Sequence, residues 1–296
     1  MGPRLTLHVP ASVTTRYLVA TDDRATPDAG YLRDALPRTA LARVARDLLG
    51  TPLLTVAPGL DAPTRWSERL GTLGGAADAL ERVAAATRHV VVTATAAPAA
   101  QPRHAQAARL AVRALAAATG GAVVDLDANQ VLPPRPAEPE RFVLGQEWTG
   151  VFLSLDGQGD GSLVRAETCG MHRFGLPELA AARVPYAHML TSANLMRALA
   201  HRMLAEHLVW LAAGPPSGPR TVPARCRATG DDVLRFWGAR PEGRPGLSVD
   251  LVRTPAGCPG CDAALEAVPP DNAGTAWWDD HAATALPKIL WADPSP

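Results

Sequence analysis

Apolar positions recur along the chain with two periods, which together predict a mixture of helices and strands. Helical spacing, with one apolar face, occurs in residues 39–49, 73–87, 102–119 and 192–211. Short runs rich in β-branched residues predict strands, and these are residues 16–21, 52–56, 89–95, 122–126, 151–155, 163–168, 221–228 and 247–254. The last forty residues contain Pro269, Pro270 and a Trp277-Trp278 pair, and this pattern predicts an irregular tail that packs through its tryptophans.

The order of these elements indicates how the chain is divided. Strand 89–95, helix 102–119 and strand 122–126 have the lengths of a crossover unit. A proline-rich segment at 133–139 can continue neither a helix nor a central strand, and it predicts a boundary between an N-terminal α/β half, 1–136, and a C-terminal α+β half, 137–296. The predicted fold is therefore α+β, with two small sheets, each covered by helices, and the long helix 192–211 of the C-terminal half between them.

Composition and charge narrow the class of protein. Lys+Arg and Asp+Glu both number 29, so no long-range field attracts nucleic acid, and we expect none as a partner. Lys288 is the only lysine and alanine is abundant, which we interpret as coding bias in a GC-rich bacterium. The sequence shows neither an export signal nor a membrane-spanning run, so we expect a soluble, cytoplasmic protein with no membrane partner.

Residues 156–167 resemble a calcium-binding loop. Asp156, Asp160, Gly161 and Glu167 occupy the positions of the D-x-[DN]-x-[DN]-G-x5-E pattern, while Gln158 stands where an acid or Asn is expected. The flanking segments are better strands than helices. A glycine-rich hairpin turn is therefore the alternative to a calcium site.

Four cysteines offer a candidate zinc site. Cys258 and Cys261 form a C-x2-C pair, which can direct two thiolates at one ion. Two more ligands are needed, and the separated candidates are Cys226 above all, then Cys169, His172 and His281. A redox pair and an ordinary turn are the alternatives. His207, on the long helix, is interpreted as a hydrogen-bonded core residue.

The segment 167–179, ETCGMHRFGLPEL, carries a motif of the form T-x-G-[ML]-x-[RK]-F-G-x-P-E-[LI]. In this respect the chain resembles a family of bacterial proteins of unknown function, over about half of its length. The resemblance implies no activity. The matching positions are Thr168, Gly170, Met171, Arg173, Phe174, Gly175, Pro177, Glu178 and Leu179.

The same segment holds the candidate catalytic residues. We expect Gly170 and Gly175 to adopt positive φ, Phe174 to anchor the turn in the core, and Arg173 to pair with Glu178. In that interpretation the turn defines the fold. In the functional interpretation His172, Arg173 and Glu178 line a pocket where the two halves meet.

No known catalytic motif is complete, so the sequence favours a non-catalytic binding or regulatory protein, with another bacterial protein as its partner. One alternative is an enzyme that uses His172 and Glu178 as acid and base at the junction of the halves. The other is a metal-stabilised module that holds zinc or calcium.

Overall fold

A computed structural model describes residues 2–23, 27–59, 70, 77–135, 137–156, 162–215, 217–256 and 263–289. The chain forms two compact units. One unit is Ala11–Phe142, and the other combines Met1–Pro10 with Val143–Pro296. The first strand therefore belongs with the C-terminal part of the chain. None of the helices in the described residues is both long and apolar enough to cross a lipid bilayer.

The helices and strands of the described residues follow in chain order. They are β1 (Arg4–Val9), β2 (Val13–Thr21), α1 (Ala29–Ala35), α2 (Ala40–Leu48), β3 (Leu54–Pro58), α3 (Ala77–Ala85), β4 (Arg88–Ala96), α4 (Arg103–Thr119), β5 (Ala122–Asp125), β6 (Gln130–Leu132), β7 (Gly150–Leu155), β8 (Leu163–Cys169), β9 (Glu178–Pro185), α5 (Met189–Ala213), β10 (Gly218–Pro223), β11 (Arg225–Thr229), α6 (Gly230–Phe236), β12 (Gly246–Thr254), β13 (Ala264–Val268) and α7 (Ala283–Ala285).

The unit Ala11–Phe142 has a five-stranded antiparallel sheet with the order β3-β4-β2-β5-β6. Strands β4 and β5 both run antiparallel to β2, so they point in the same direction, as the predicted crossover requires, but β2 lies between them. Tyr17 and Val19 of β2 pack with α2 and α4, whereas Leu18 and Ala20 pack with α3. The sheet is therefore covered on both faces, which explains its nearly continuous apolar strands.

The other unit has a six-stranded sheet with the order β11-β12-β13-β9-β8-β7, in which only the β13–β9 pair of these strands is parallel. Helix α5 packs on β7, β8, β9 and β11. Strands β1 and β10 form a separate antiparallel pair. The hairpin predicted from 151–155 and 163–168 is confirmed as β7 and β8.

The fold is α+β as predicted, but the residues that the structure describes form three sheets, so the prediction of two was wrong. The segment 221–228, predicted as one strand, contains the end of β10 and most of β11, which belong to different sheets. The chain changes sheet at Pro223, whose missing N–H cannot continue a ladder. The predicted irregular tail also contains a strand, β13, which joins β9 and β12 inside the six-stranded sheet.

The polar side of α5 is more buried than its pattern indicates. The Asn194 side chain is buried and donates from Nδ2 to the carbonyl oxygens of Pro287 (2.6 Å) and Ile289 (2.9 Å). The Arg197 guanidinium lies over the Trp237 ring, 5.1 Å from its centroid, and burial lowers the pKa of Arg197 to about 10. Contacts with α6 and with the C-terminal segment therefore cover a face that amphipathic periodicity alone assigns to solvent.

Candidate functional site

Glu178 begins strand β9, and its buried carboxylate organises the turn that precedes it. Oε1 accepts hydrogen bonds from the backbone N–H groups of Gly170 (2.9 Å) and His172 (3.2 Å), and it lies 2.9 Å from His172 Nδ1. Oε2 accepts from the Thr168 hydroxyl (2.7 Å), which itself accepts from the backbone N–H of Leu179 (2.8 Å). Both carboxylate oxygens therefore take part in shaping the turn.

The turn itself is a single 3-10 turn, Met171–Phe174, flanked by two glycines. Gly170 has φ 118° and Gly175 has φ 78°, as predicted, and these are backbone conformations that side chains disfavour. Phe174 is fully buried, so its predicted anchoring role is confirmed.

The electrostatics of Glu178 favour an ionised carboxylate at neutral pH. Burial by itself raises the pKa of Glu178, but the hydrogen bond and the charge of His172, together with the bonds from Thr168 and Gly170, outweigh burial and leave the pKa below its ordinary value. The His172 side chain is 24% exposed, so one partner of this pair reaches solvent. At neutral pH Glu178 can orient His172 through Nδ1, but it has no proton to give.

A second histidine fixes the other side of the turn. His207 of α5 is fully buried; its Nε2 lies 3.1 Å from the carbonyl oxygen of Phe174 and its Nδ1 lies 2.9 Å from Arg220. A carbonyl can only accept and a guanidinium can only donate, so His207 is neutral with its proton on Nε2. Burial and the neighbouring Arg220 charge lower the pKa of His207 to about 4. The interpretation of His207 as a hydrogen-bonded core residue is confirmed.

Arg173 is also fully buried, and its guanidinium lies 5.7 Å from the centroid of the Trp148 ring. Cation–π packing of this kind stabilises a desolvated guanidinium. The structure thus brings His172 and Glu178 into hydrogen-bond contact and places Arg173 in the core. The ion pair between Arg173 and Glu178 stays a prediction.

Of the predicted zinc ligands, Cys226 lies on β11, and Cys258 and Cys261 lie outside the described residues. The Cys226 thiol is half-buried, and burial raises its pKa to about 11. A thiol binds zinc as a thiolate, so this environment does not favour metal binding by Cys226 alone. The described parts of the chain contain no group of three or more His, Cys, Asp and Glu side chains arranged to hold a metal ion.

Of the predicted calcium ligands, Asp156 and Glu167 are described and Asp160 lies outside the described residues. Asp156 follows β7 and its Oδ2 accepts a hydrogen bond from the backbone of Arg183, while Glu167 lies within β8 with its Oε2 3.3 Å from Arg165 Nε. The flanking elements are paired strands, the arrangement of the hairpin alternative. Calcium binding itself stays a prediction.

A buried ion cluster in the unit Ala11–Phe142 was missed by the sequence pattern. Arg109 and Arg113 occupy the face of α4 that periodicity assigns to solvent, yet their side chains are 0% and 5% exposed. Arg109 donates to Glu138 from Nε (3.0 Å) and from its terminal nitrogen (2.5 Å), and Arg113 Nε donates to the same carboxylate (3.1 Å). The signal in the sequence was two arginines four residues apart, but their acid comes from a distant segment.

A pocket of about 240 Å³ lies beside this cluster, near the C-terminal end of α4. Three arginines line it, Arg82 of α3, Arg113 of α4 and Arg135, and none of the described residues that line it is acidic. The rest of the lining is mainly small or apolar, including Ala79, Ala116, Ala117, Gly120, Gly121, Ala122, Val123, Leu132, Pro133 and Pro134. We call this site the arginine pocket.

Comparisons of the chain with models of protein families, with curated proteins and with solved structures give no match. The structure shows an α+β chain of two units, one of which carries the arginine pocket. The resemblance of the 167–179 segment to a bacterial family remains an expectation from the sequence.

Proposed function

We propose that the protein is a non-catalytic binding protein and that its ligand is a small anion held in the arginine pocket. The observation that carries the proposal is the position of Arg113 at this pocket. Its Nε is bound to Glu138 and one terminal nitrogen donates to the carbonyl oxygen of Pro133 (2.7 Å). A guanidinium that is already fixed loses little side-chain entropy when it binds an anion.

The geometry of the 168–178 turn supports a structural role for the residues that the motif singles out. The Glu178 carboxylate accepts hydrogen bonds from the turn that it shapes, and His207 holds the Phe174 carbonyl from the other side. Under this proposal the turn serves the fold, and binding takes place in the other unit.

The test is a thermal-unfolding screen of the purified chain against small anionic, neutral and cationic compounds. A ligand that binds only the folded state raises Tm, by linkage. We expect stabilisation by anions, and we expect Ala117→Phe to abolish it because Ala117 lines the pocket and is exposed. The matched control is Ala118→Phe, on the same helical turn outside the lining. Loss of the shift in both variants, or no shift with any anion, would contradict the proposal.

A second candidate function is an enzyme that uses His172 as its acid or base. The observation that favours it is the 2.9 Å contact between His172 Nδ1 and Glu178, because a carboxylate that accepts from Nδ1 sets the tautomer of an imidazole. With its lowered pKa, Glu178 serves in this alternative as the orienting base and not as a proton donor.

The enzyme alternative predicts that a screen of hydrolytic substrates finds a turnover. The His172→Gln variant should lose this turnover while its free energy of unfolding stays unchanged. Its control is His104→Gln, which alters a histidine of the other unit. Recognition of another protein and stabilisation by zinc or calcium stay as predictions beside these two functions.

A further inference from the structure

The arginine pocket contains two different kinds of surface, positive charge and small apolar side chains. Its three arginines come from separate segments, on α3, on α4 and after β6. Alanine, valine, leucine and proline side chains form most of the remaining lining. A ligand that satisfies both surfaces carries an anionic head group and a short apolar part.

The arginines differ in how firmly they are held. Arg113 is 5% exposed and is fixed by Glu138 and by the Pro133 carbonyl, whereas Arg82 is 49% exposed and lies 3.8 Å from the exposed Asp78. Arg82 therefore exchanges an exposed, weak ion pair for a ligand at little cost. The pocket therefore combines one firmly held arginine with one that is only weakly paired.

The C-terminal end of α4 does not compete with the arginines for the ligand. Carbonyl groups at a helix end carry partial negative charge, which repels an anion. Here the backbone N–H groups of Gly120 and Gly121 (2.9 Å) both bind the Ala116 carbonyl oxygen, so this acceptor is satisfied within the chain. Arg109 and Arg113 share the single carboxylate of Glu138, so this buried cluster keeps a net positive charge beside the pocket.

We infer that the ligand of the arginine pocket is a small phosphate monoester; this inference rests on the proposed function. At neutral pH a phosphate monoester carries a charge of about −1.5 to −2 and three acceptor oxygens, so it can interact with more than one of the arginines that line the pocket. A carboxylate offers one charge and two oxygens in one plane, which a single arginine satisfies. The apolar lining takes the ester carbon chain.

The size of the pocket suits a short ester group. Its volume of about 240 Å³ lies below the ~300–1,000 Å³ of pockets that enclose drug-sized ligands. A short alkyl or polyol phosphate fits this volume, which makes propyl phosphate a suitable probe.

Isothermal titration of the full chain with propyl phosphate, propyl sulfate and butanoate tests the inference. Propyl sulfate has the same head-group shape with a single charge, so it isolates the second charge of the phosphate. We expect propyl phosphate to bind about tenfold more tightly than either competitor, because its second negative charge strengthens the attraction to the arginines by roughly that factor. Arg82→Gln and Arg135→Gln should each raise its Kd by about tenfold.

Arg103→Gln is the matched control. Arg103 is exposed at the opposite end of α4, about 25 Å along the helix axis from Gly120. Its substitution removes the same charge without touching the pocket, so the Kd should change by less than about twofold. Arg82→Lys, which keeps the charge, should restore part of the lost affinity. Thermal unfolding of each variant verifies that it is folded.

Each outcome decides between the two proposals. Equal binding of phosphate, sulfate and carboxylate, weakened by the pocket variants, overturns the phosphate inference and leaves the binding function standing. If only a neutral or cationic ligand binds there, both proposals are overturned, because the proposed ligand is an anion. An equal loss of affinity in Arg103→Gln overturns the inference because binding then follows net charge. Failure of every ligand to bind overturns both proposals.

Discussion

Protonation of His207 is the perturbation whose effect on the protein can be worked out most fully. In the folded state its Nε2 donates to the Phe174 carbonyl and its Nδ1 accepts from Arg220. A proton on Nδ1 would remove that acceptor and place two buried cations against each other. The folded state therefore binds this proton more weakly than the unfolded chain does, and stability rises with pH while the unfolded histidine titrates.

The size of the effect follows from the pKa difference. The ordinary pKa of 6.5 falls to about 4 in the folded state, and at 1.36 kcal/mol per pKa unit this corresponds to about 3 kcal/mol of unfolding free energy. The contribution is fully present above about pH 6.5 and is lost as the pH falls to about 4. Between about pH 7.5 and pH 5 the expected loss is about 2 kcal/mol.

Urea denaturation followed by tryptophan fluorescence measures this loss, since the Trp210 ring stacks on His207 with centroids 5.8 Å apart. His207→Gln should be less stable than the natural chain by about 1–2 kcal/mol at pH 7.5 and nearly equal to it at pH 5, because glutamine does not titrate. The control is His8→Gln, an exposed position on β1, which should keep the natural pH dependence. If His207→Gln shows the same slope with pH as the natural chain, the reasoning is refuted.

Three further expectations concern buried charge and metal. Glu138→Gln should lower the free energy of unfolding by about 3–5 kcal/mol, because it leaves Arg109 and Arg113 buried without their carboxylate; a change below 1 kcal/mol in thermal unfolding would contradict a buried cluster. Glu178→Gln should cost about 2 kcal/mol at pH 7 and less at pH 4, since the carboxylate, with its lowered pKa, stabilises the fold above its ordinary titration range and loses this effect as pH falls. Under the proposed function EDTA leaves Tm unchanged and elemental analysis finds no stoichiometric metal, whereas the zinc and calcium alternatives predict the opposite in both measurements.

Several elements could be predicted because their signals are local. Helices α2, α4 and α5 lie within two or three residues of the predicted ranges, and β4, β7, β8 and β12 within one or two. Each of these helices and strands has an apolar pattern that is visible within a few residues, and each has a glycine or proline near one end. Strand β13 was missed because it is short and flanked by proline and glycine, and its place between β9 and β12 depends on segments far away in the chain.

In the candidate site, too, some features could be predicted from the sequence and others could not. The glycines of the 168–178 turn and the buried Phe174 were predictable, because positive φ and anchoring are properties of the segment itself. The hydrogen bonds between His207 and this turn, and the pairing of Glu138 with α4, join residues that are 33, 29 and 25 positions apart. No local period encodes such pairs.

The sequence by itself determined the longer helices, most of the strands and the α+β class, since these follow from side-chain periodicity and from the backbone limits of glycine and proline. Only the tertiary structure decided how many sheets form, where β13 inserts, and which polar faces are buried. The physical reason is that a polar residue can be buried only when a distant group completes its hydrogen bonds, and periodicity carries no information about that partner. Arg113 on a face assigned to solvent, buried against Glu138 beside the arginine pocket, is the clearest instance.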